Sequence, residues 1–293
     1  MKKADAHLNR GVTLAGQGRY AEAEREYREA IRINPNHAGA HLNLGALLSI
    51  QGKYAEAERE FREAIRINPN YAEAHNALGS LLLIQERYAE AEREFREAIR
   101  INPNYPLPRY ILGLLLSSQG RHAEAEMEFR EAIRVNPEDT EARLSLGASL
   151  SIQGRHAEAE MEFREAIRIN PEDVEVRLNL GVSLYMQGRY AEAEREYREV
   201  IRINPNHAGA HLNLGALLSI QGKYAEAERE FREAIRINPE DAEAHYNLGI
   251  SCKDQGRYKE ARAELEMAAI LFEEQGKHRD AEKARENMRE LPL

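Results

Sequence analysis

The sequence repeats itself every 34 residues, and this period constrains the fold more than any other feature. One proline, always preceded by asparagine, and one glycine return at this step along the chain. They are Pro35, Pro69, Pro103, Pro137, Pro171, Pro205 and Pro239, and Gly11, Gly45, Gly79, Gly113, Gly147, Gly181, Gly215 and Gly249. A unit this short buries its apolar face only against its neighbours, so the period predicts a stack of units.

Eight units cover the chain from residue 4 to residue 275. Their ranges are 4–37, 38–71, 72–105, 106–139, 140–173, 174–207, 208–241 and 242–275. Residues 276–293 resume only the turn and the second half of the pattern, with many charges, which predicts a C-terminal capping helix and tail. Segments 17–69 and 187–239 differ only at Ala30 and Val200, which indicates either internal duplication or deliberate repeat engineering.

Each unit is predicted to form two helices. In unit two, the first helix covers residues 40–51 and is followed by Gly52, which suits a left-handed C-cap. The second helix covers residues 54–67 and ends before Pro69, because proline has no amide hydrogen and restricts the residue before it. The apolar stripe of this second helix consists of Ala57, Phe61, Ala64 and Ile65.

These residues resemble the tetratricopeptide repeat. In unit two, the positions that match are Leu44, Gly45, Gly52, Tyr54, Ala57, Phe61, Ala64 and Pro69. The resemblance implies an all-α fold, a right-handed superhelical solenoid of antiparallel helix pairs. His41 stands where the family often has tryptophan, Arg10 replaces a leucine, and Glu86 replaces the C-cap glycine of unit three. A left-handed Glu86 is expected to cost about 1 kcal/mol.

Composition and motifs exclude several classes of function. The formal net charge of -9 argues against nucleic-acid binding, which needs a basic surface. No segment approaches the roughly 20 apolar residues of a membrane span, so a cytoplasmic protein is expected. No phosphate loop, nucleophile elbow or paired-cysteine motif is present, so we expect neither catalysis nor a cofactor. Cys252 stands where the other units have leucine and is predicted to be a core thiol.

The histidines raise the question of a metal site. His37 with His41, and His207 with His211, have the four-residue spacing that places two imidazoles on one helical face. However, His37 and His207 fall in turns and no third ligand is close in the sequence, which favours turn and packing roles. The histidines at the fourth position of the first helices are expected to pack against partner helices; they are His7, His41, His75, His211 and His245.

The candidate binding residues lie on the first helices, opposite the leucine and glycine of the repeat pattern. The resemblance implies that this side, the inner face, lines a concave groove. Its sixth position is asparagine in five units: Asn9, Asn43, Asn179, Asn213 and Asn247. Such amides can hydrogen-bond a peptide backbone, about one to every third residue of an extended chain. This row of asparagines, the asparagine ladder, is similar to that of O-linked N-acetylglucosamine transferase. The similarity implies that extended chains are bound with little dependence on their sequence. The apolar candidates are Leu42, Tyr110, Leu114, Leu178, Leu212 and Tyr246.

The charges of the inner face point to the chemistry of a partner. They are Asp5, Glu73, Glu141, Glu175, Glu243, Asp254 and Lys253, six acids and one base. An acidic ligand, such as the chaperone tails bound by some relatives, would be repelled. The sequence therefore predicts a non-catalytic scaffold that binds a neutral or mildly basic peptide, extended or helical, with apolar side chains.

Two alternatives stay open. The first is a substrate-recruiting region of a larger enzyme, for example a glycosyltransferase, motivated by the lack of a capping sequence before unit one. The second is a self-assembling scaffold, in which an open end or the tail Leu291-Pro292-Leu293 docks into another copy.

Two extra prolines mark the start of unit four. Pro106 and Pro108 fall in the opening turn of a first helix, where backbone amides lack helical partners. We therefore predict no domain boundary in this stretch. Leu107, Tyr110 and Leu114 make it more apolar than its counterparts and are expected to anchor a ligand side chain, the alternative being harmless variation.

Overall fold

A computed structural model describes residues 2–292, and within that range every regular element is an α-helix. The helices of the first half are α1 (Lys2–Gly16), α2 (Tyr20–Ile33), α3 (Ala38–Ile50), α4 (Tyr54–Ile67), α5 (Ala72–Ile84), α6 (Tyr88–Ile101), α7 (Pro106–Ser118) and α8 (His122–Val135). They are followed by α9 (Thr140–Ile152), α10 (His156–Ile169), α11 (Val174–Met186), α12 (Tyr190–Ile203), α13 (Ala208–Ile220), α14 (Tyr224–Ile237), α15 (Ala242–Asp254), α16 (Tyr258–Glu274) and α17 (His278–Arg289).

The chain forms two compact units, one up to Ser149 and one from Leu150 onward. Within each unit, a first helix packs against the second helix of its pair, and that second helix packs against the next first helix. This is a helical solenoid, as the repeat predicted. The division between the units falls inside α9 and not at the proline-rich stretch, because α7 simply begins at Pro106 with Pro108 buried in its first turn.

The turn between paired helices needs a left-handed residue. Gly52 has φ 74°, and the other glycines of this position lie at similar angles. Glu86, with φ 60°, is the one residue other than glycine with positive φ among those described, so the predicted backbone strain is present.

Small residues let the paired helices approach. Three residues of the predicted stripe of α4 are buried, Ala57, Phe61 and Ala64, whereas the fourth, Ile65, is half-buried. A β-carbon at Gly45 would lie 2.7 Å from the ring of Phe61, so only glycine fits beneath this ring. Cys252 is fully buried, which confirms a core position, and burial raises the pKa of its thiol.

A repeated polar bridge joins the two helices of a pair. His41 donates from Nδ1 to Glu60 Oε2 at 2.6 Å and from Nε2 to the carbonyl of Pro35 at 3.0 Å. A carbonyl oxygen and an ionised carboxylate are both acceptors, so this geometry favours an imidazole with hydrogen on both nitrogens and a positive charge. Burial lowers the pKa of His41, but the hydrogen bonds to Glu60 and Pro35 outweigh burial and raise the pKa overall.

The same bridge recurs in other units. His75, His211 and His245 make equivalent pairs of bonds, and their pKa values are also raised. Arginine occupies this position in unit four, where Arg109 Nη1 lies 3.1 Å from Glu128 and Nε donates to the carbonyl of Pro103. Arginine is permanently charged, and it makes the same two contacts at this position. This agreement supports the positively charged form of the histidines. The packing role predicted for the histidines at this position is therefore confirmed for these four, whereas His7 is half-buried, with Nδ1 2.6 Å from Glu26.

The first helix α1 differs from the later first helices on one face. Arg10 has a side chain that is 70 % exposed, whereas its counterpart Leu44 is 1 % exposed. Thr13 is likewise exposed where Leu47 is buried. In unit two the residues at these positions are buried and α3 packs against α2. The polar residues of α1 thus stand at positions that are exposed to solvent.

The C-terminal helix α17 covers the other end. Its buried residues Ala281 and Ala284 belong to one apolar cluster with Leu271, Phe272 and Ala242. Leu291 is buried within its own chain, which disfavours the docking of this leucine into another copy; Leu293 lies outside the described residues.

Candidate peptide-binding surface

The asparagines of the inner face are half-buried or exposed side chains. Asn9 is exposed, while Asn43, Asn179, Asn213 and Asn247 are half-buried. Asn43 donates from Nδ2 to the carbonyl of Gly39 at 2.8 Å, and Asn179 makes the equivalent bond to Glu175 at 2.9 Å. These amide nitrogens are held by the preceding turn of their own helices. Asn43 and Asn179 are thereby oriented to present Oδ1, an acceptor for a peptide N–H.

Helices α11, α13 and α15 line a cavity of about 290 Å³ in the second unit. Its walls include Asn247, Ile220, Ile250, Tyr185 and Asp254. The cavity thus brings one predicted asparagine together with apolar side chains and a carboxylate from successive first helices. An apolar recess with a few polar groups in its walls is the usual composition of a ligand pocket.

Tyr246 has a different environment from the one predicted. Its hydroxyl accepts a hydrogen bond from Asn287 Nδ2 at 3.2 Å, and its ring lies 6.4 Å from the ring of Phe272. The ammonium group of Lys283 lies 5.2 Å from the centre of the same ring. Tyr246 therefore stabilises the packing of α17. It still borders a second cavity of about 320 Å³ with Asn247.

The remaining apolar candidates are distributed over both units. Leu42 and Tyr110 are half-buried in the first unit, where the ring of Tyr110 lies 6.2 Å from that of Phe129. Leu114 is 41 % exposed. Leu178 and Leu212 are half-buried in the second unit.

The structure adds a set of residues that the sequence did not single out. The thirteenth position of most units is a large apolar side chain that is 55–67 % exposed: Ile50 and Ile84 in the first unit, and Ile152, Met186 and Ile220 in the second. Periodicity places this position on the inner face, but only the accessible area shows that it stays uncovered. Exposed aliphatic residues repeated at one position are typical of an interaction surface.

The charges of the inner face are acidic after internal pairing. Lys253, its one base, donates to Glu290 at 2.7 Å and to Asn287 at 3.1 Å, so its charge is directed to the C-terminal end. Asp254 and Glu243 remain exposed beside the two cavities. The inner face therefore presents an acidic side chain beside each of these two cavities.

The histidine pairs considered for a metal are engaged within the protein. His37 Nδ1 accepts from the amide of Ala40, which caps α3, and Nε2 lies 3.0 Å from Asp5. Both nitrogens of His41 are engaged as well, Nδ1 with Glu60 and Nε2 with the carbonyl of Pro35. Over the described part of the chain, no group of three or more His, Cys, Asp or Glu side chains is placed to hold a metal ion. Nor does any helix within residues 2–292 combine the length and apolar character needed to cross a membrane.

Several solved structures share this fold. YrrB, a TPR protein described as having an unusual peptide-binding site, is 26 % identical, with a TM-score of 0.56, 63 % of this chain covered and 95 % of YrrB. PilF of Pseudomonas aeruginosa is 23 % identical, with a TM-score of 0.60 over 71 % of this chain and 94 % of PilF. A tetratricopeptide repeat protein from Parabacteroides merdae is 20 % identical, with a TM-score of 0.58 over 86 % of this chain and 99 % of that one.

Sequence comparison with family models agrees with the structural likeness. No curated protein matches the chain. The model of the cilia and flagella-associated protein 70 middle TPR-like domain matches residues 168–292. The model of the cilia and flagella-associated protein 70 C-terminal domain matches residues 2–211, more than half of the sequence. The chain therefore belongs to the tetratricopeptide-repeat proteins, in the family of the cilia and flagella-associated protein 70 C-terminal domain.

Proposed function

We propose that the inner face of the first helices binds an extended segment of a partner protein. Proteins of tetratricopeptide repeats are in general protein-interaction scaffolds, and the present chain carries an uncovered apolar stripe beside oriented asparagines. The exposure of Ile220 and its counterparts is the observation that carries the proposal. An aliphatic side chain left more than half exposed at the same position of five units has no role in the core.

The second unit offers the best-defined site. Asn179, Asn213 and Asn247 lie on α11, α13 and α15, which contact one another in sequence. At about 10 Å between neighbouring helices, the three span roughly 20 Å, the length of about six extended residues. Their amides hold the peptide backbone, while Met186 and Ile220 contact alternate side chains.

The ligand is neutral or mildly basic. Asp254 lies in the wall of the cavity that also contains Asn247 and Ile250, so a lysine or arginine of the peptide finds a carboxylate beside an apolar recess. YrrB, whose description names a peptide-binding site, supports a peptide as the ligand class. A cytoplasmic location stays a prediction, whereas the description of the matched family names cilia and flagella.

Selection of a displayed library of random 12-residue peptides on the whole protein tests the proposal. Selected peptides should be enriched in aliphatic and basic residues. Their affinity should fall about tenfold or more in the triple variant Asn179→Ala, Asn213→Ala, Asn247→Ala, since hydrogen bonds of about 1 kcal/mol each are lost.

A variant of the outer surface serves as the matched control. Arg195→Ala with Arg229→Ala removes two exposed side chains of α12 and α14 and should leave affinity unchanged. If the asparagine variant keeps its helical circular dichroism and binds every selected peptide as tightly as the wild type, the asparagines do not bind peptide. A Met186→Ser, Ile220→Ser variant with unchanged affinity would exclude the apolar stripe as well.

A further inference from the structure

A row of exposed tyrosines lies on a surface other than the inner face. The first residue of six second helices is a tyrosine that is 37–45 % exposed: Tyr20, Tyr54 and Tyr88 in the first unit, and Tyr190, Tyr224 and Tyr258 in the second. In the two middle repeats, His122 and His156 stand at this position. Each tyrosine directly follows the tight turn between paired helices, so the row lies along the edge formed by these turns.

The surroundings of Tyr88 show what this edge offers. A cavity of about 600 Å³ is lined by Tyr88, its flanking residues, and Gln119 and Arg121 from the turn of the next repeat. Arg87 is paired with Glu58 and Glu90, both at 2.8 Å, and Arg121 is paired with Glu92 at 2.8 Å. The recess therefore has an aromatic side chain between guanidinium groups whose charge is already neutralised.

The equivalent recess at Tyr258 is shared with a proline of the same chain. This cavity, of about 520 Å³, is lined by Gly256, Arg257, Tyr258, Lys259, Glu260 and Arg262, and by Pro292. The preceding Leu291 is buried, which fixes the tail at this end of the unit. A Leu-Pro segment of the chain itself thus lies where the turn of a following repeat lies at Tyr88.

We propose that the tyrosine edge, defined as the two rows of three tyrosines, binds a proline-rich segment of a partner in the polyproline II conformation. Such a helix has three residues per turn and rises about 3.1 Å per residue, so it repeats every 9 Å or so. Each successive second helix of a row carries one tyrosine, at its first residue. A segment with proline at several positions can therefore contact more than one tyrosine of a row.

The chemistry of the walls agrees with this ligand. A proline-rich chain has few amide hydrogens to donate but exposes its carbonyl oxygens, which need donors. The side-chain amide nitrogen of Gln119 is such a donor beside Tyr88, whereas the guanidinium groups of Arg87 and Arg121 already donate to glutamates. Because each arginine is already paired with glutamate, an acidic or basic peptide would have to displace an ion pair, whereas a neutral proline-rich segment would not. Aromatic grooves are the usual means of holding this conformation.

A blocked nine-residue polyproline peptide is the probe, with a glycine-serine peptide of equal length as its control. The protein has no tryptophan and 13 tyrosines, so selectively labelled tyrosine rings report binding by NMR without interference. Polyproline should shift the rings of the tyrosine edge and leave Tyr27, which is buried in the core, unchanged. The glycine-serine peptide should shift none of them.

Two sets of variants decide the outcome. Changing Tyr190, Tyr224 and Tyr258 to alanine should weaken polyproline binding to the second unit about tenfold or more, while phenylalanine at the same positions should retain it. The fold accepts other side chains there, since histidine is native at the position in two repeats. The triple asparagine variant of the inner face should bind polyproline normally, which separates this result from that of the proposed function. No ring shift with polyproline, or equal shifts with both peptides, would overturn the proposal, as would full binding by the folded alanine variant.

Discussion

The charged histidine bridges predict that the stability of this protein falls as pH rises above neutrality. His41, His75, His211 and His245 each donate to a carboxylate and to a carbonyl, and the pKa of each is raised in the folded state. A raised pKa means that the folded protein holds a proton that the unfolded chain has released. The bridges therefore contribute fully below the unfolded pKa of about 6.5, and their contribution is lost as pH rises through the folded pKa.

The size of the effect follows from the number of bridges. Each extra proton held by the folded state changes the free energy of unfolding by about 1.4 kcal/mol per pH unit. Two bridges lie before Ser149 and two after Leu150. The slope therefore cannot exceed about 2.8 kcal/mol per pH unit for each half, or about 5.6 if the whole chain unfolds in one step, and it approaches this bound as the folded pKa rises further above the unfolded one.

The perturbation is replacement of all four histidines by arginine. Arg109 and Arg177 already occupy this position, and Arg177 lies 2.9 Å from both Glu196 and the carbonyl of Pro171, so the fold accommodates the change. Arginine stays charged at every accessible pH. The variant His41→Arg, His75→Arg, His211→Arg, His245→Arg should therefore remain stable at pH 8.5 and lose most of the slope.

Urea unfolding followed by circular dichroism between pH 6 and pH 8.5 measures the slope directly. His278→Arg, at an exposed site on α17, is the control and should leave the slope as in the wild type. Nitrogen chemical shifts of the imidazoles at pH 7 report their charge independently. A wild type whose stability does not change over this range, or an arginine variant with the wild-type slope, would refute the reasoning.

Three smaller changes test the local arguments by urea unfolding. Glu86→Gly should stabilise the protein by about 1 kcal/mol, because it removes a β-carbon from a left-handed turn; a neutral or destabilising result would contradict that strain. Gly45→Ala should destabilise by about 1–3 kcal/mol, since the new methyl group meets the ring of Phe61, and stability equal to wild type would show that the ring can move aside. Asp173→Ala should cost about 1 kcal/mol through loss of the N-cap bond to the amide of Val176, while the control Asp173→Asn should cost less.

Much of the fold could be read from the sequence because its causes are local. The glycine before most second helices, the proline after most of them and the stripe of Ala57, Phe61 and Ala64 depend only on spacing along the chain. The left-handed turn at Glu86 and the core position of Cys252 follow from comparing one repeat with the next. Repetition also supplies several copies of every pattern, which removes the ambiguity that a single helix would leave.

The candidate site was predictable only in part. Spacing places Asn43 and Ile50 on one side of a helix, but the fraction of Ile50 left uncovered depends on how closely the neighbouring repeats approach. Tyr246 had the same local pattern as other candidates, yet α17, some 30 to 40 residues further along, packs against its ring and hydroxyl. The repeat pattern of the sequence does not predict such contacts, because they are made once, by the C-terminal helix.

The sequence by itself determined the all-helical solenoid, its pairing of helices and the small residues at their crossings. The tertiary structure decided which charge state the bridge histidines favour and which apolar side chains remain exposed to solvent. The pKa of His41 is raised because a carboxylate 19 residues away and a proline carbonyl both lie within hydrogen-bond distance of its ring. An isoleucine becomes part of a candidate surface only when no neighbour covers it. Both depend on atoms brought together by packing, which spacing along the chain does not encode.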